Sequence, residues 1–483
     1  MASIHFITQG CSANQADSEI MQGILREKGH TLADDEKDAD VIVFNSCTVK
    51  GPSISYFKKK MKELDSQGKK AVIAGCIPQS NPDFEYLRGH SLIGTYQIDR
   101  IGDAVEQTLG GNKIVLLGKE NKTRLNLPKA RINPLIEIVP ILQGCLSSCT
   151  FCKTKHARGN AFSHSPEEIV RDISWAVREG AKEIWLTSQD NGVYGLDFSR
   201  NGKEYMNLAK LLMHICAIPR DFMVRVGMAN PKYILSMLDG LISAFKNPKV
   251  YKFLHVPLQS GSDKVLGDMK RGYTAADFVK IIRRFKKEIP DITISTDIIC
   301  GFPTETKGDF KKTMEIMKET RPDVINISKF WPMQGTPAAR MKQAHGAEMK
   351  ERAKEMTELH KKIALENNNR WAGWEGDVLI DERGKHGTWK GRNFAYKQVV
   401  VETEAFHHPM NGGLHGQTTM GWNAECSKTA GVSEANMPPA RDRRPPAVFD
   451  SKENLMGRNV FVRIYKGSPI DLRGRVLNEV EEK

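Results

Sequence analysis

The feature that most constrains the fold of this chain is a pattern of short strands and helices that restarts at residue 135. Each apolar segment of strand length is followed by a window with helical periodicity. The candidate strands are 136–142, 183–187, 223–226, 252–257, 292–299 and 324–330. Strands that alternate with crossover helices form parallel sheets, so six successive units predict a barrel or partial barrel over residues 135–370. On such a fold we expect the chemistry at the carboxyl ends of the strands.

Two further domains flank the predicted barrel. Residues 1–118 also alternate strands with helices and predict a small parallel sheet, followed by a polar linker at 119–134. Its candidate strands are 4–8, 41–45, 71–75 and 113–117. Residues 371–483 change to a β pattern that predicts a small β-barrel, interrupted by a long insertion at 405–453. The predicted fold class is therefore α/β, with an N-terminal parallel-sheet domain, a central partial (βα)6 barrel and a C-terminal small β-barrel.

The charge of the chain indicates a polyanionic partner. The 483 residues include 71 Lys plus Arg and 58 Asp plus Glu, a formal net charge of +13. Residues 121–370 alone carry +14, so the surplus lies in the linker and the barrel. The sequence has neither a signal-peptide pattern nor an apolar run of about 18 residues, so we expect a cytoplasmic protein without a membrane partner. In that compartment its nine cysteines do not indicate a disulfide framework.

Three cysteines are grouped directly after the first strand of the predicted barrel. Cys145, Cys149 and Cys152 form a C-x3-C-x2-C pattern, which places three thiols where a barrel carries its active site. With His156 they could form a structural zinc site. Alternatively, they could hold an iron–sulfur cluster, which normally takes four cysteines, so that one iron stays open for a ligand. Phe151 could then pack on a flat ring bound at that iron.

A second group of cysteines is dispersed along the N-terminal domain. Cys11, Cys47 and Cys76 each follow a predicted strand at its carboxyl end. Because the carboxyl ends of parallel strands meet at one edge of the sheet, we expect these thiols to converge. The alternatives are three ordinary buried cysteines, or a zinc site without an evident fourth ligand.

The two cysteine groups resemble those of a known family. Cys145, Cys149, Phe151 and Cys152 resemble the signature of radical SAM enzymes, and the N-terminal cysteines resemble those of its methylthiotransferase branch. The resemblance extends over nearly the whole chain, including a C-terminal TRAM-type RNA-binding barrel. Its further motifs are Asn14–Glu19, Asn45–Cys47, Ala157–Gly159, His255–Ser262, Ser295–Thr306 and Gly335–Ala339. It implies one [4Fe–4S] cluster on Cys145, Cys149 and Cys152, a second on Cys11, Cys47 and Cys76, and S-adenosyl-L-methionine as cofactor.

The resemblance also implies a substrate. Segments 154–160 and 183–195 are similar to the archaeal and eukaryotic branch that acts on threonylcarbamoyl-adenosine in tRNA. That branch inserts a methylthio group at C2 of the adenine at position 37, so the expected partners are the anticodon arm, a reductant protein and a sulfur donor. Because this chain lacks the hydrophobic C-terminal anchor of the eukaryotic enzymes, we expect a soluble, archaeal-like member. The alternatives are another tRNA adenosine, a ribosomal protein, or a zinc-stabilised RNA-binding protein without catalysis.

Residues that contact the cofactor can be assigned only through the family motifs. The residues so assigned are Phe151, Ser188, Gln189, Arg225, Gln259, Ser260, Gly301 and Glu305. Apart from Phe151, they lie on or just after the second to fifth predicted strands, where a barrel active site is expected. The alternative is a structural role in turns and caps, which favour the same residue types. Val226-Gly227-Met228 after Arg225 departs from the family pattern and weakens that assignment.

Overall fold

The structure is a computed structural model, and it describes residues 1–49, 51–198, 206–402 and 454–477. The predicted insertion at 405–453 lies outside the described residues. In the described part of the chain, no helix is both long and apolar enough to cross a bilayer.

The N-terminal domain is built on one parallel sheet. Its described residues form six strands in the order β2-β1-β3-β4-β5-β6, so β1, β3 and β4 are neighbours in the middle of the sheet. The strands are β1 (Ser3–Thr8), β2 (Thr31–Leu32), β3 (Val41–Ser46), β4 (Ala71–Gly75), β5 (Ser91–Gly94) and β6 (Val115–Leu116). The helices are α1 (Ser12–Glu27), α2 (Gly51–Ser66), α3 (Cys76–Ser80) and α4 (Ile101–Leu109).

The central domain has the predicted order of strands and helices. Its six main strands are β7 (Ile136–Pro140), β10 (Glu183–Thr187), β11 (Met223–Val226), β12 (Phe253–His255), β13 (Thr293–Cys300) and β14 (Val324–Lys329). They form two parallel three-stranded sheets, β11-β10-β7 and β12-β13-β14, within the described residues. The hydrogen bond from Tyr251 N to Val224 O joins the two sheets into one curved wall. A short antiparallel pair follows β7, namely β8 (Leu142–Gln143) and β9 (Phe162–Ser163).

Helices alternate with these strands along the chain. They are α5 (Thr154–Arg158), α6 (Pro166–Arg178), α7 (Leu208–Cys216), α8 (Pro231–Ile234), α9 (Leu238–Phe245), α10 (Asp263–Asp268), α11 (Ala275–Glu288), α12 (Lys307–Thr320) and α13 (Gly346–Asn369). Helix α6 begins where its sequence predicts, since Ser165 accepts a hydrogen bond from Glu168 N in a capping box with Pro166 at the first position. The largest apolar core lies between these helices and the strands.

The C-terminal domain is a small closed β-barrel. Its described strands close in the order β15-β16-β17-β19-β18. They are β15 (Glu375–Arg383), β16 (Trp389–Arg392), β17 (Gln398–Glu402), β18 (Asn459–Gly467) and β19 (Leu472–Val476). Short 3-10 turns complete the described structure at Glu36–Asp38, Glu85–Leu87, Ile98–Arg100, Asn191–Val193, Leu235–Met237 and Pro337–Arg340. The predicted fold class is confirmed, while the domain boundaries at 118, 134 and 370 stay predictions.

The N-terminal domain packs on the central wall through helix α1. Ala16 of α1 lies in a small apolar cluster with Ile136 and Ile138 of β7, and Trp185 packs against it. Beside this cluster, the buried amine of Lys129 in the linker pairs with both Glu137 and Asp172. These contacts hold the carboxyl edge of the N-terminal sheet next to the carboxyl ends of the central strands.

Candidate active site

The cysteine-rich loop leaves the wall through a sharp turn at Gly144. Gly144 has a φ of +79°, and a Cβ at this position would overlap the carbonyl oxygen of Asn160. Its N–H donates to Gln189 Oε1 at 2.6 Å, and Cys145 N donates to Gly159 O at 3.2 Å. Thr150 is held by hydrogen bonds to the backbone of Asp268 and Met269. The loop that carries Cys145, Cys149 and Cys152 is therefore tied to the turn after β10 and to the end of α10.

Two hydrogen-bond donors of the protein point at sulfur atoms of this loop. Ser147 N lies 3.3 Å from Cys145 Sγ, and Arg271 Nη1 lies 3.1 Å from Cys149 Sγ. On the other side, the Asp190 carboxylate lies 4.0 Å from Cys145 Sγ. Donors directed at sulfur favour the thiolate form, which is the form that binds metals.

Burial opposes ionisation of these thiols. It raises the pKa of Cys145 to about 11, with a further contribution from Asp190, and it also raises the pKa of Cys152. A buried thiolate therefore needs a cation close by, and iron coordination supplies one. The donor set fits a metal cluster better than free cysteines.

The structure brings together the three N-terminal cysteines. Cys11 precedes helix α1, Cys47 follows β3, and Cys76 begins α3 directly after β4. Gly10 has a φ of +108°, and a Cβ there would lie 2.9 Å from Cys47 Sγ, so the Gly10 backbone approaches this sulfur closely. Cys47 and Cys76 are buried, and Cys11 is exposed. The convergence expected from the strand ends is thus present.

A buried arginine from the central domain reaches this second cysteine group. Arg158 ends helix α5, six residues after Cys152 in the sequence, and its Nη2 donates to Asn14 Oδ1 at 2.8 Å and Asp17 Oδ2 at 2.6 Å. Cys76 Sγ lies 3.6 Å from the same Asn14 oxygen. One side chain therefore links the loop of the first cysteine group to the neighbourhood of the second.

The pKa values of the N-terminal thiols follow from burial and mutual proximity. Burial raises the pKa of Cys47 to about 12, and the neighbouring Cys76 and Cys11 raise it further. Burial also raises the pKa of Cys76, while the charge of Arg158 lowers it. As at the first group, thiolates at this depth require positive charge beyond what Arg158 alone supplies.

The side chains of both groups lie farther apart from one another than a single ion would need. Within the described residues, no three His, Cys, Asp or Glu side chains are grouped closely enough to bind one ion. An iron–sulfur cluster places its own irons and sulfides between the thiolates that hold it.

Several residues predicted to contact the cofactor make structural contacts. Ser188 Oγ bonds to Asn191 Oδ1 at 2.5 Å and to Asp190 N within the turn after β10. Gln189 supports Gly144, as described above. Glu305 accepts hydrogen bonds from Gly301 N and from Arg352 of α13, both at 2.8 Å. These contacts favour the turn-and-cap interpretation for Ser188 and Glu305.

The other predicted cofactor residues are placed differently. The Arg225 guanidinium lies 5.1 to 5.3 Å from the ring centres of Trp185, Phe253 and Tyr396. Tyr396 belongs to the C-terminal barrel, so the Arg225 guanidinium lies at the contact between the central domain and the C-terminal domain. For three further predicted residues, the structure gives only local features. Gln259 has a φ of +73°, Ser260 is buried in the same turn, and Phe151 packs edge-on to Phe302. Their contact with a cofactor stays a prediction.

Sequence reasoning did not assign a role to Asn14, Asp17, Arg158 or Arg271. The first three lie in motifs that the resemblance singled out, so a signal for them was present. Arg271 had no such signal, because it is 122 residues from Cys149 in the sequence. Only the packing of the segment after α10 on the cysteine loop brings the two together.

Comparison with known proteins identifies the family. Residues 139–317 match the model of the radical SAM superfamily, and residues 3–90 match the uncharacterised protein family UPF0004. The chain is 41% identical over 404 residues to a probable threonylcarbamoyladenosine tRNA methylthiotransferase of Pyrococcus abyssi, an alignment that covers 83% of this chain and 94% of that protein. The chain belongs to the threonylcarbamoyladenosine tRNA methylthiotransferase family. Membership of the radical SAM superfamily implies S-adenosylmethionine and a [4Fe–4S] cluster.

Animal relatives match equally well. The threonylcarbamoyladenosine tRNA methylthiotransferase of Drosophila melanogaster is 46% identical over 88% of this chain and 76% of its own length, and the human protein of the same name is 42% identical over 82% and 68%. These identities do not favour an archaeal-like over a eukaryotic-like member of the family.

Solved structures support the fold. The radical S-adenosylmethionine methyltransferase TsrM from Kitasatospora setae, solved with cobalamin and a [4Fe–4S] cluster bound, aligns with a TM-score of 0.51. The alignment covers 70% of this chain and 76% of that chain at 13% sequence identity, so it shows a shared fold.

Proposed function

We propose that this chain inserts a methylthio group at C2 of N6-threonylcarbamoyladenosine at position 37 of tRNA. Within the structure, the observation that carries this proposal is Arg158, which follows the first cysteine group in the sequence and lies beside the second in space. The two groups of cysteines follow the carboxyl ends of strands in two neighbouring domains. This arrangement suits a reaction that needs two metal centres near one substrate. The names of the relatives supply the substrate.

The proposed cofactors are two [4Fe–4S] clusters, on Cys145, Cys149 and Cys152 and on Cys11, Cys47 and Cys76, together with S-adenosyl-L-methionine. When bound, they would supply the electron, the radical that removes the C2 hydrogen, the sulfur and the methyl group. An aromatic C–H bond has no acidic proton at neutral pH, so acid–base catalysis by side chains could not open this route.

The protein's own residues position these groups and shield them from water. Ser147 N and the Arg271 guanidinium donate to two sulfurs of the first group and stabilise them as thiolates. Arg158 does the same by its charge for the second group. Phe151, Phe302 and Phe330 form part of an apolar cluster beside the first group, and this cluster excludes water on that side.

The proposed partners are the anticodon arm of tRNA, a reductant protein and a sulfur donor, in the cytoplasm. The surplus of +14 in residues 121–370 supports attraction of the RNA by the linker and the central domain.

Anaerobic reconstitution and a turnover assay test the proposal. We expect about eight irons per chain for two four-iron clusters, and conversion of a stem-loop RNA carrying threonylcarbamoyl-adenosine to its 2-methylthio form, detected by nucleoside mass spectrometry. Replacing Cys11, Cys47 and Cys76 with Ala should leave about four irons and S-adenosylmethionine cleavage, but no methylthio product. Full iron content in that variant would contradict the second site, and modification of a ribosomal protein instead of the RNA would contradict the substrate.

A further inference from the structure

A groove opens between the N-terminal domain and the central domain beside both cysteine groups. It has a volume of about 180 Å³. Three of its lining residues directly follow cysteines in the sequence: Thr48 follows Cys47, Ile77 follows Cys76, and Lys153 follows Cys152. A molecule held in this groove would therefore lie close to both groups at once.

One side of the groove is aromatic and anchored across the domain boundary. Trp331, after β14, lines it and is 52% exposed. A Cβ on Gly51 would overlap the indole ring, so the ring packs directly on the first residue of α2. Phe84 lines the groove as well and stacks on the buried Phe57. Exposed aromatic rings of this kind are the usual stacking surfaces for unpaired RNA bases.

The groove carries positive charge without a carboxylate. Lys58 and Lys153 line it, and none of its described lining residues is acidic. Lys153 is only 8% exposed, yet its amine has no hydrogen-bond or ion-pair partner among the described residues. The amine lies near the backbone of Gly335, at 3.6 Å from where a Cβ would stand. The buried amine of Lys129, in contrast, has two carboxylate partners.

The Lys153 side chain is largely buried along its stem and its amine has no partner in the described protein, so the amine is available to pair with a ligand that carries the opposite charge. The threonylcarbamoyl group of the proposed substrate carries one carboxylate, attached to a purine that can stack on an indole. Unmodified adenosine and isopentenyl-type adenosine carry no carboxylate at this position. The lining of the groove thus matches the feature that distinguishes the proposed substrate from related bases.

We propose that this groove receives the modified base, with Trp331 stacking on the purine and Lys153 pairing with the threonyl carboxylate as the determinant of specificity. The inference rests on the proposed function, because the carboxylate belongs to that substrate. An RNA phosphate could offer similar anionic oxygens, and the experiment below separates the two sources.

The test compares binding of two stem-loop RNAs to the reconstituted holoenzyme. They have the same sequence and carry either threonylcarbamoyl-adenosine or unmodified adenosine at position 37. We expect the wild type to prefer the modified RNA, and Lys153→Met to reduce this preference about tenfold to hundredfold while binding unmodified RNA as before. Lys59→Met is the matched control, since Lys59 is exposed on the same helix as Lys58 and does not line the groove. This control should keep the full preference.

Different results would overturn the inference. Equal loss for both RNAs with a shallower salt dependence would assign Lys153 to a phosphate, and an unchanged preference would exclude Lys153 altogether. A third RNA, in which the threonyl carboxylate is amidated, tests wild-type enzyme and so does not depend on the folding of a variant. It should bind as weakly as unmodified RNA, and tight binding of this RNA would refute carboxylate recognition.

The proposed stacking of Trp331 on the purine is tested separately. Trp331→Ala should weaken binding of both RNAs by a similar factor, about tenfold, because stacking does not depend on the carboxylate. Unchanged binding would remove Trp331 from the proposal. Methylthiolation of the modified RNA by the wild type is measured on the same samples. If the wild type forms no product, the proposed function is wrong. If the wild type forms product and Lys153→Met keeps the full preference for the modified RNA, only the inference about Lys153 is wrong.

Discussion

At the scale of single residues, each cysteine group has an arginine beside it that comes from elsewhere, either from a distant part of the sequence or from the other domain. Arg271 donates to Cys149 Sγ from the segment after α10, and Arg158 of the central domain lies among the N-terminal cysteines. In both cases a permanent positive charge lies beside a cysteine, and at Cys76 burial raises the pKa of the thiol while the charge of Arg158 lowers it. The arginines therefore prepare the thiols for metal before any metal binds.

Arg158→Met tests this interpretation. The variant loses the hydrogen bonds to Asn14 and Asp17, while Asp17 keeps its ion pair with Arg124. We expect iron content to fall from about eight toward four per chain and methylthiolation to fall at least about tenfold, with S-adenosylmethionine cleavage retained. Iron analysis and the yield of 5′-deoxyadenosine measure both effects.

The control for this variant is Arg100→Met, which removes a half-exposed arginine from a surface pair with Asp103. Surface pairs of this kind contribute little, so this variant should behave as the wild type. Full iron content and normal turnover in Arg158→Met would show that Arg158 has no part in the second site.

At the scale of elements, helix α1 couples the two domains. Its first turns carry Asn14 and Asp17 toward Arg158, and Ala16 packs on β7. Glu19 lies further along the helix, buried, and accepts a hydrogen bond from Ile132 N of the linker. Docking of one helix therefore sets both the thiol site and the path of the linker.

The pH dependence of stability should report on this docking. Burial, with a contribution from Glu137, raises the pKa of Glu19 from 4.5 to about 7. Because the folded state disfavours the charged form, stability is greatest below about pH 4.5 and decreases as pH rises to about 7, by on the order of 3 kcal/mol from this group.

Glu19→Gln keeps the acceptor for Ile132 N and removes the titration. Its unfolding midpoint should therefore exceed that of the wild type by a margin that grows between pH 5 and pH 8. Thermal unfolding at several pH values measures the margin, and Glu27→Gln, at an exposed position on the same helix, serves as control. A margin independent of pH would contradict the assigned cause.

At the scale of the whole molecule, the C-terminal barrel is packed on the central domain. Tyr396 lies 4.8 Å from the ring centre of Tyr251 and 5.1 Å from that of Phe253, and Lys397 pairs with Asp323 at 2.7 Å. A deletion of residues 371–483 would expose these surfaces. Such a deletion is therefore an unsuitable way to ask which domain attracts the RNA.

Tyr396→Ala tests this interface directly. Removing the ring takes away contacts with Tyr251, Phe253 and Arg225, and we expect a loss of about 3 kcal/mol in unfolding free energy. We also expect faster proteolysis between the two domains. Tyr465→Ala, which truncates an exposed tyrosine of the same barrel, should change stability by less than about 1 kcal/mol. Equal effects of the two substitutions would mean that the barrel is not held through Tyr396.

Local sequence patterns determined most of the fold. Apolar strands followed by helical windows placed the six main strands of the central wall within a few residues, and the start of α6 at Ser165 followed from its capping residues. The strands that the patterns missed include β2, β5 and β9, which have two to four residues each. Segments this short contain too few alternations to show a period.

For the candidate site, the sequence by itself determined which cysteines stand at strand ends, because a parallel sheet sends all such ends to one edge. Only the tertiary structure decided which side chains surround them. Arg271 beside Cys149, Arg158 beside Cys76, and Lys153 in one groove with Trp331 are all pairs from separate elements. Local periodicity records whether a segment is buried, but not which distant segment packs against it. Such pairings depend on how whole elements and domains dock, and they become visible only in the folded chain.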